Sequence, residues 1–241
     1  MKEETIRKLK EMYLHTMAEK FNELSLSPKA SALSAAEIVA FMVDAEYYRR
    51  KDTKVKRLLR EAHIKLSTAC IEDISYSPKR NLHKTELEPV LTGQYVQHCN
   101  NVLISGACGV GKSYLACALS NHACRQGLTV QYWRTARLLE HIAAEKALGN
   151  YLKAIEKMGK LRLLVLDDFG PEILTKEQRT MLFEIIEERY LTGSIIMGSQ
   201  LPFEQWYEVV GEPTTADAIC DRIFHNAYKI TIKGDSMRKK R

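Results

Sequence analysis

Residues 106–113, GACGVGKS, match the spacing G-x-x-x-x-G-K-[ST] in full. Glycines let consecutive backbone N–H groups turn inward around phosphates, and Lys112 supplies a cation to the β- and γ-phosphates. The Ser113 hydroxyl is a Mg²⁺ ligand in such loops. The other predicted nucleotide-binding residues are Gly106, Ala107, Cys108, Gly109, Val110, Gly111 and Tyr114. The motif therefore predicts a site for a nucleoside triphosphate, ATP, with Mg²⁺.

Two neighbouring carboxylates end the apolar run LRLLVLDD over residues 161–168. A run this apolar is typical of a strand that is buried on both faces of a parallel sheet. At its carboxyl end, Asp167 is suited to hold Mg²⁺ through its water shell, and Asp168 to orient the attacking water or accept its proton. A pair of exposed acids in a turn is the alternative. Together with GACGVGKS, the two aspartates predict ATP hydrolysis.

Alternating strands and helices must position these residues. The predicted strands are NVLISG, LTVQYW, LRLLVLDD, SIIMGSQ and KITIKG, and the segments between them have helical periodicity. This alternation predicts an α/β fold, a P-loop domain over residues 94–241 with a parallel sheet flanked by helices.

The N-terminal third has a different pattern. Residues 1–75 are predicted to form a small all-α domain, in which the second helix begins at a capping box of Ser34 and Glu37 and extends to about Leu66. Residues 76–93 contain two prolines and little apolar periodicity, so we predict a linker there.

The composition is typical of a cytoplasmic protein. The six cysteines include no C-x-x-C pair, no apolar run approaches the ~18 residues of a membrane span, and the N-terminus lacks the apolar core of a signal peptide. We therefore expect reduced thiols and no membrane segment. The net charge is +6, and residues 1–84 hold 17 Lys and Arg against 12 Asp and Glu. This excess predicts a polyanionic partner.

The basic residues are concentrated in residues 47–65, YYRRKDTKVKRLLREAHIK. At 100° per residue, Arg50, Lys54, Arg57 and, if the helix extends that far, Lys65 share a broad helix face. Such a face can contact phosphates without reading sequence. The alternative is a solvated basic face on a helix that is packed by its leucines. The candidate DNA-binding residues are Arg49, Arg50, Lys51, Lys54, Lys56, Arg57 and Arg60.

The order of these motifs resembles that of the AAA+ ATPases. The segments GSQLPFEQW, CDRIFHNAYKI and KGDSMRKKR, with NVLISGACGVGKSYLACAL and LLVLDDFG, are similar to the IstB family of transposition helper ATPases, which is close to the DnaC helicase loaders. The similarity covers about residues 90–238. It implies an AAA+ domain without the C-terminal helical lid, a homo-oligomer with ATP sites between subunits, and binding to duplex DNA largely without sequence preference. It also implies a transposase partner. The protein would help that transposase to select or remodel target DNA.

The resemblance implies roles for four further residues. Ser199 and Gln200 fall where the family has its sensor I residue. Arg222 falls at the arginine finger that reaches the γ-phosphate of a neighbouring subunit; a surface pair of Arg222 with Asp221 is the alternative. Arg238 falls at a proposed sensor II.

The main departure from the AAA+ pattern is Asp168, because most relatives have glutamate there. Its shorter side chain implies slow turnover of ATP. A DnaC-like replicative helicase loader is the first alternative function, and its partner is a helicase rather than a transposase. A small-molecule P-loop kinase and an ATP-dependent scaffold that does not hydrolyse ATP are two further candidate functions.

Overall fold

The computed structural model describes residues 1–237, which divide into two compact units. The first comprises Met1–Arg57, and the second begins at Leu58. In the described residues no helix is both long enough and apolar enough to cross a membrane.

The first unit is helical. Its elements are α1 (Lys2–Glu11), α2 (His15–Leu26), a 3-10 helix (Pro28–Ala32) and the first 23 residues of α3 (Ala35–Glu61). Leu9, Ala18 and Met42 form its buried core. Tyr13, in the left-handed region with φ 60°, separates α1 from α2.

The predicted capping box at the start of α3 is confirmed. The Glu37 N–H donates to Ser34 Oγ at 3.3 Å, and the Ser34 N–H donates to Glu37 Oε2 at 2.8 Å. The end of α3 differs from the prediction, which placed it near Leu66. The helix ends at Glu61, because His63 adopts a left-handed backbone (φ 51°) that an α-helix cannot continue through.

A five-stranded parallel sheet is the framework of the second unit. Its strands are β1 (Asn101–Gly106), β2 (Val130–Arg134), β3 (Leu163–Phe169), β4 (Ser194–Ser199) and β5 (Ala227–Ile232). They lie in the order β2-β3-β4-β1-β5, and every neighbouring pair is parallel. The five predicted strands are therefore confirmed. Because all five run the same way, their carboxyl ends meet at one edge of the sheet.

Helices cover both faces of this sheet. They are α4 (Lys84–Leu91), α5 (Gln94–Gln97), α6 (Lys112–Arg125), α7 (Thr135–Ala147), α8 (Tyr151–Gly159), α9 (Lys176–Arg189), α10 (Trp206–Val210) and α11 (Pro213–Phe224). Alternate residues of β1 point to opposite cores: Val102 and Ile104 pack in one apolar cluster, and Leu103 packs in the other. Burial on both faces explains why the strands are continuously apolar.

Residues 58–93 contribute to the core of the second unit. Leu58, Ala62 and Ala69 are buried there, and α4 forms inside the segment that was predicted as a linker. The division into compact units thus differs from the boundaries at residues 75 and 93 that the sequence predicted. The apolar residues that anchor this segment are irregularly spaced, so periodicity did not reveal their burial.

Candidate nucleotide-binding site

The phosphate loop joins β1 to α6. Gly106 has φ 148°, and a Cβ added to it would lie 2.2 Å from the carbonyl oxygen of Ile232, so glycine is required here. Lys112 is 8% exposed and opens α6. Its Nζ donates to the carbonyl oxygens of Gly106 at 2.7 Å and Ala107 at 2.9 Å. The lysine ammonium therefore lies over the loop whose N–H groups are suited to phosphates.

Two segments of the second unit hold this loop from outside. The Met237 N–H donates to the Gly109 carbonyl oxygen at 2.9 Å. Arg80 Nη2 donates to the Val110 carbonyl oxygen at 2.8 Å, and Arg80 Nη1 donates to the Ser75 carbonyl oxygen. Partial burial lowers the pKa of Arg80. Sequence reasoning missed Arg80, because a single arginine in a predicted linker carries no motif.

Asp167 lies near the carboxyl end of β3 and is 1% exposed. The Tyr132 hydroxyl, on β2, donates to Asp167 Oδ2, and Thr135 Oγ1 donates to the Asp167 carbonyl oxygen at 3.1 Å. Burial, together with the charge of Asp167, raises the pKa of Tyr132 above its usual range. Tyr132 lies within β2 and Thr135 begins α7. Neither residue belongs to a motif, so the sequence did not single them out.

The second oxygen of Asp167 is available to a cation. Oδ1 is buried and has no hydrogen-bond partner among the described residues. Gly198 on β4 leaves space beside it, since a Cβ there would lie 2.9 Å from this oxygen. A buried anionic oxygen of this kind suits a hard cation such as Mg²⁺, or one of its water ligands. The residues present therefore fit the predicted metal.

Asp168 has an unusual backbone. Its φ is 55°, and the register between β3 and β4 shifts between Leu166 and Phe169. Aspartate is among the non-glycine residues that adopt the left-handed region most readily. Arg134, at the end of β2, donates from Nε to Asp168 Oδ2 at 3.1 Å. The predicted catalytic carboxylate is thus paired with a cation that sequence reasoning did not single out.

A cavity of about 410 Å³ brings the predicted motifs together. Its walls include Lys112 and Ser113 from the phosphate loop, Asp168 from β3 and Gln200 beyond β4. This volume is within the usual range of small-molecule sites. Other lining residues are Cys108, Gly109, Gly111, Tyr114, Lys65, Leu66 and Met237. The arrangement can hold phosphates, a cation and a water molecule beside a carboxylate.

The two residues at the sensor I position differ in their surroundings. Ser199 is buried, and its hydroxyl donates to the Phe169 carbonyl oxygen at 2.7 Å and accepts from the Leu201 N–H at 3.1 Å. Its hydrogen bonds therefore tie the end of β4 to the end of β3. Gln200, in contrast, lines the cavity.

The helix that carries Arg222 is fixed by a strong N-cap. The Glu212 carboxylate accepts from the Thr215 hydroxyl at 2.6 Å and from the N–H groups of Thr215 and Thr214 at 2.7 and 3.1 Å. These hydrogen bonds lower the pKa of Glu212 to about 2. Pro213 occupies the first helical position, where its missing N–H costs nothing.

Arg222 does not line the cavity of its own chain. Its Nη1 donates to the Ala218 carbonyl oxygen at 2.9 Å, and its Nε pairs with Glu187 of α9. The guanidinium also lies over the rings of Phe183 and Tyr190, at 5.2 and 5.9 Å from their centroids. The carboxylate partner is therefore Glu187 and not the neighbouring Asp221 of the alternative interpretation. The side chain remains 26% exposed.

The predicted DNA-binding residues lie along α3, but two of them serve the packing of the first unit. Arg49 and Arg50 donate to Glu46 Oε1 at 2.7 and 2.8 Å, and Arg50 also donates to the Tyr13 carbonyl oxygen at 3.0 Å. Glu46, 5% exposed, accepts at Oε2 from the Thr16 N–H at 2.9 Å. Burial raises the pKa of Glu46, but the hydrogen bonds from the two arginines outweigh it and bring the pKa to about 2.

The remaining basic candidates are exposed along the same helix. Lys56 pairs with Asp52 at 2.6 Å. The exposed set comprises Lys51, Lys54, Lys56, Arg57 and Arg60, of which Arg60 belongs to the second unit. Arg238, the predicted sensor II, lies outside the described residues.

A family model and individual relatives of this chain all describe ATP-binding proteins. A family model described as IstB-like ATP binding protein matches residues 7–241. The insertion-sequence ATP-binding protein y4pL of Sinorhizobium fredii is 39% identical over 235 residues, which is 98% of this chain and 96% of that protein. The ATP-binding protein of insertion sequence IS1162 from Pseudomonas fluorescens is 34% identical over 202 residues, 84% of this chain and 87% of that protein.

Solved structures share the fold at low identity. The DnaC helicase loader aligns with a TM-score of 0.55 and 20% identity, over 68% of this chain and 97% of that chain. AMPPCP-bound DnaA from Aquifex aeolicus aligns with a TM-score of 0.59 and 20% identity, over 72% of this chain and 52% of that chain. At such identities the likeness concerns the fold alone. It confirms the prediction of an AAA+ P-loop domain preceded by helices.

Proposed function

Because the chain belongs to the family of IstB-like ATP-binding proteins, we propose that it is an oligomeric, DNA-binding ATPase that helps a transposase to select or remodel target DNA. The observation that carries the proposal is the cavity in which Lys112, Ser113, Asp168 and Gln200 converge. The buried Asp167 directly precedes Asp168 in β3. The names of the relatives, which are ATP-binding proteins of insertion sequences, support the transposition context.

The ATP site is assigned residue by residue. The glycine loop and Lys112 bind the phosphates, and Ser113 with Asp167 holds Mg²⁺ or its water ligands. When bound, Mg²⁺ neutralises charge that develops on the β- and γ-phosphates. Asp168 orients a water molecule or accepts its proton, and Gln200 faces the same space. The ion pair with Arg134 competes with this role of Asp168, so we expect it to slow hydrolysis.

Arg222 is proposed to complete the site of a neighbouring subunit. It lies outside the cavity of its own chain and is partly exposed, and a guanidinium stabilises the charge of a transferring phosphoryl group. Sharing each ATP site between two subunits links nucleotide binding to assembly by mass action. ATP binding then favours assembly on DNA, and hydrolysis favours release.

Duplex DNA is the proposed polyanion. The exposed residues Lys51, Lys54 and Arg57 follow one another along α3 at helical spacing and suit backbone phosphates without base readout. Arg49 and Arg50 contribute less in this proposal, because Glu46 already holds both guanidinium groups.

A DnaC-like helicase loader is the second candidate, favoured by the structural likeness to the DnaC helicase loader. The two candidates differ in their client, a transposase or a replicative helicase. A pull-down in which the chain captures only one of the two purified clients separates them. The family match speaks against the P-loop kinase.

The proposal is tested by ATP turnover and sedimentation of the full chain with no DNA, with single-stranded DNA and with duplex DNA. We expect ATP and duplex DNA together to give the largest assemblies, and turnover to change when duplex is present. The proposal would be refuted if the size of the assemblies depended on neither ATP nor duplex DNA.

The shared site is tested with two variants. Arg222→Ala should lower turnover by about 10³-fold and leave ATP binding nearly intact, whereas Lys112→Ala should weaken binding itself. Arg137→Ala, which breaks an exposed ion pair with Glu140, is the control. It should change neither ATP turnover nor ATP binding.

Mixing the two inactive variants distinguishes a contribution in trans from one in cis. In a random head-to-tail assembly about a quarter of the interfaces combine an intact Lys112 with an intact Arg222. Turnover should therefore return in the mixture. A mixture that stays inactive, or an Arg222→Ala variant with full turnover, contradicts the assignment.

A further inference from the structure

Lys65 lies in a different place from the one its sequence suggests. Helical periodicity put it on the basic face of α3, but α3 ends at Glu61 and His63 turns the chain in the left-handed conformation. The chain then continues as a segment of residues 62–70, which belongs to the second unit. Lys65 is exposed within this segment.

The 62–70 segment is fixed to the elements that build the ATP site. Asn121, a buried residue of the phosphate-binding helix α6, donates from Nδ2 to the carbonyl oxygens of Leu66 at 3.2 Å and Ala69 at 2.8 Å. On the other side, the Tyr132 N–H of β2 donates to the Ala62 carbonyl oxygen at 2.9 Å. The backbone on either side of Lys65 is therefore held by α6 and by β2.

Lys65 is one of the residues that line the proposed ATP cavity. It shares this wall with Ser113, Asp168 and Gln200, the residues assigned to the metal and to the attacking water. It also lines an adjoining groove of about 390 Å³ together with Arg134, the partner of Asp168. Lys65 therefore lines both the cavity that contains Asp168 and the groove that contains Arg134, the ion-pair partner of Asp168.

The charge of the cavity favours a second cation there. The terminal phosphate of a nucleoside triphosphate carries more negative charge than either of the other two phosphates, and Asp168 adds a carboxylate to the same space. An exposed lysine carries a compact charge on a flexible stem and reaches such a group without losing much hydration. ADP lacks the terminal phosphate and would not make this contact.

We propose that Lys65 is a phosphate-binding residue that contacts the terminal phosphate of ATP from the 62–70 segment, in the same subunit as Lys112. The proposal rests on the proposed ATP site and deepens it. Lys65 makes the site respond to the difference between ATP and ADP, beyond the contribution of the glycine loop.

The test measures nucleotide binding without turnover. AMPPCP and ADP, each with Mg²⁺, are titrated into the full chain by calorimetry in the absence of DNA. Lys65→Gln should weaken AMPPCP binding by about tenfold and ADP binding by less than about twofold, as expected when one charge-assisted hydrogen bond is removed. Lys65→Arg should keep the wild-type ratio of the two affinities.

Lys153→Gln is the matched control, because Lys153 is an exposed lysine on α8 of the same unit. It should leave both affinities unchanged, and none of the variants should alter thermal unfolding without nucleotide. If Lys65→Gln changes both affinities equally or changes neither, the proposal is overturned. This conclusion holds even if the variant also binds DNA less tightly than the wild type.

The failure of this proposal is distinct from failure of the ATP site. If the wild-type chain binds neither nucleotide, the proposed ATP site itself is wrong. If it binds both and assembles on DNA with ATP while Lys65→Gln keeps the wild-type affinity ratio, only the role of Lys65 is wrong.

Discussion

Replacing Tyr132 with phenylalanine removes one hydroxyl from the site and leaves the ring in place. That hydroxyl donates to Asp167 Oδ2, and Oδ1 has no hydrogen-bond partner among the described residues. In Tyr132→Phe the Asp167 carboxylate, 1% exposed, therefore loses the side-chain donor that the structure gives it. The difference in unfolding free energy between this variant and the wild type therefore measures what the buried carboxylate loses without that donor.

The magnitude follows from the kind of hydrogen bond. A hydrogen bond to a charged group contributes about 1.5–3 kcal/mol, and loss of a donor to a buried group adds its desolvation cost. We therefore expect Tyr132→Phe to lower the free energy of unfolding by about 1.5–3 kcal/mol. In a unit of this size that corresponds to a fall in Tm of about 3–12 °C.

Tyr95→Phe is the matched control. Tyr95 is 1% exposed, in the same unit, and its hydroxyl has no hydrogen-bond partner among the described residues. Removing that hydroxyl should be neutral or slightly stabilising, because a buried polar group without a partner is removed. The two variants delete the same atom from the same residue type, and only in Tyr132→Phe does that atom donate a hydrogen bond to a carboxylate.

Thermal unfolding is measured for the wild type and both variants, with and without Mg²⁺ and ATP. Mg²⁺-ATP should restore part of the stability of Tyr132→Phe, since a cation near Asp167 compensates the carboxylate. Equal stability of the two tyrosine variants would refute the reasoning about Asp167. A loss in Tyr132→Phe that Mg²⁺-ATP leaves unchanged would contradict the metal assignment.

The remaining predictions concern the ion pairs of Glu46 and of Asp168. The pKa of Glu46, about 2 against an ordinary 4.5, means stability that is present above pH 4.5 and lost as the pH falls towards 2, at most about 3 kcal/mol. Circular dichroism should show a smaller loss of stability on acidification in Glu46→Gln than in the wild type, because Glu212, whose pKa is also about 2, still titrates in the variant. Arg134→Gln should raise kcat by up to about fivefold, because an exposed pair contributes at most about 1 kcal/mol to holding Asp168. A steady-state ATPase assay checks this, and a fall in kcat would show that Arg134 assists the reaction.

The strands and the two phosphate motifs could be predicted from the sequence because each has a local signal. β3 contains a continuous apolar run that is followed by two acids, and GACGVGKS has fixed spacing. The capping box at Ser34 is local in the same sense.

The contacts missed from the sequence join residues that are far apart in the chain. Arg80 reaches the Val110 carbonyl oxygen, and Asn121 holds the 62–70 segment, but neither spacing repeats or forms a motif. The end of α3 depended on one backbone angle at His63, a residue with no strong turn preference. Such features follow from tertiary packing, which periodicity does not encode.

The left-handed backbone of Asp168 limits which residues evolution can place there. Glutamate would extend the carboxylate by one methylene, but aspartate is more readily accommodated at φ 55° than a longer side chain. A carboxylate that reaches further from position 168 therefore lowers the stability of the fold. A substitution here that accelerates hydrolysis must be accompanied by a change that relieves the strain of the left-handed backbone. In the proposed cycle, in which the assembled state persists until ATP is cleaved, the backbone conformation of a single residue then restricts how quickly selection can shorten that lifetime.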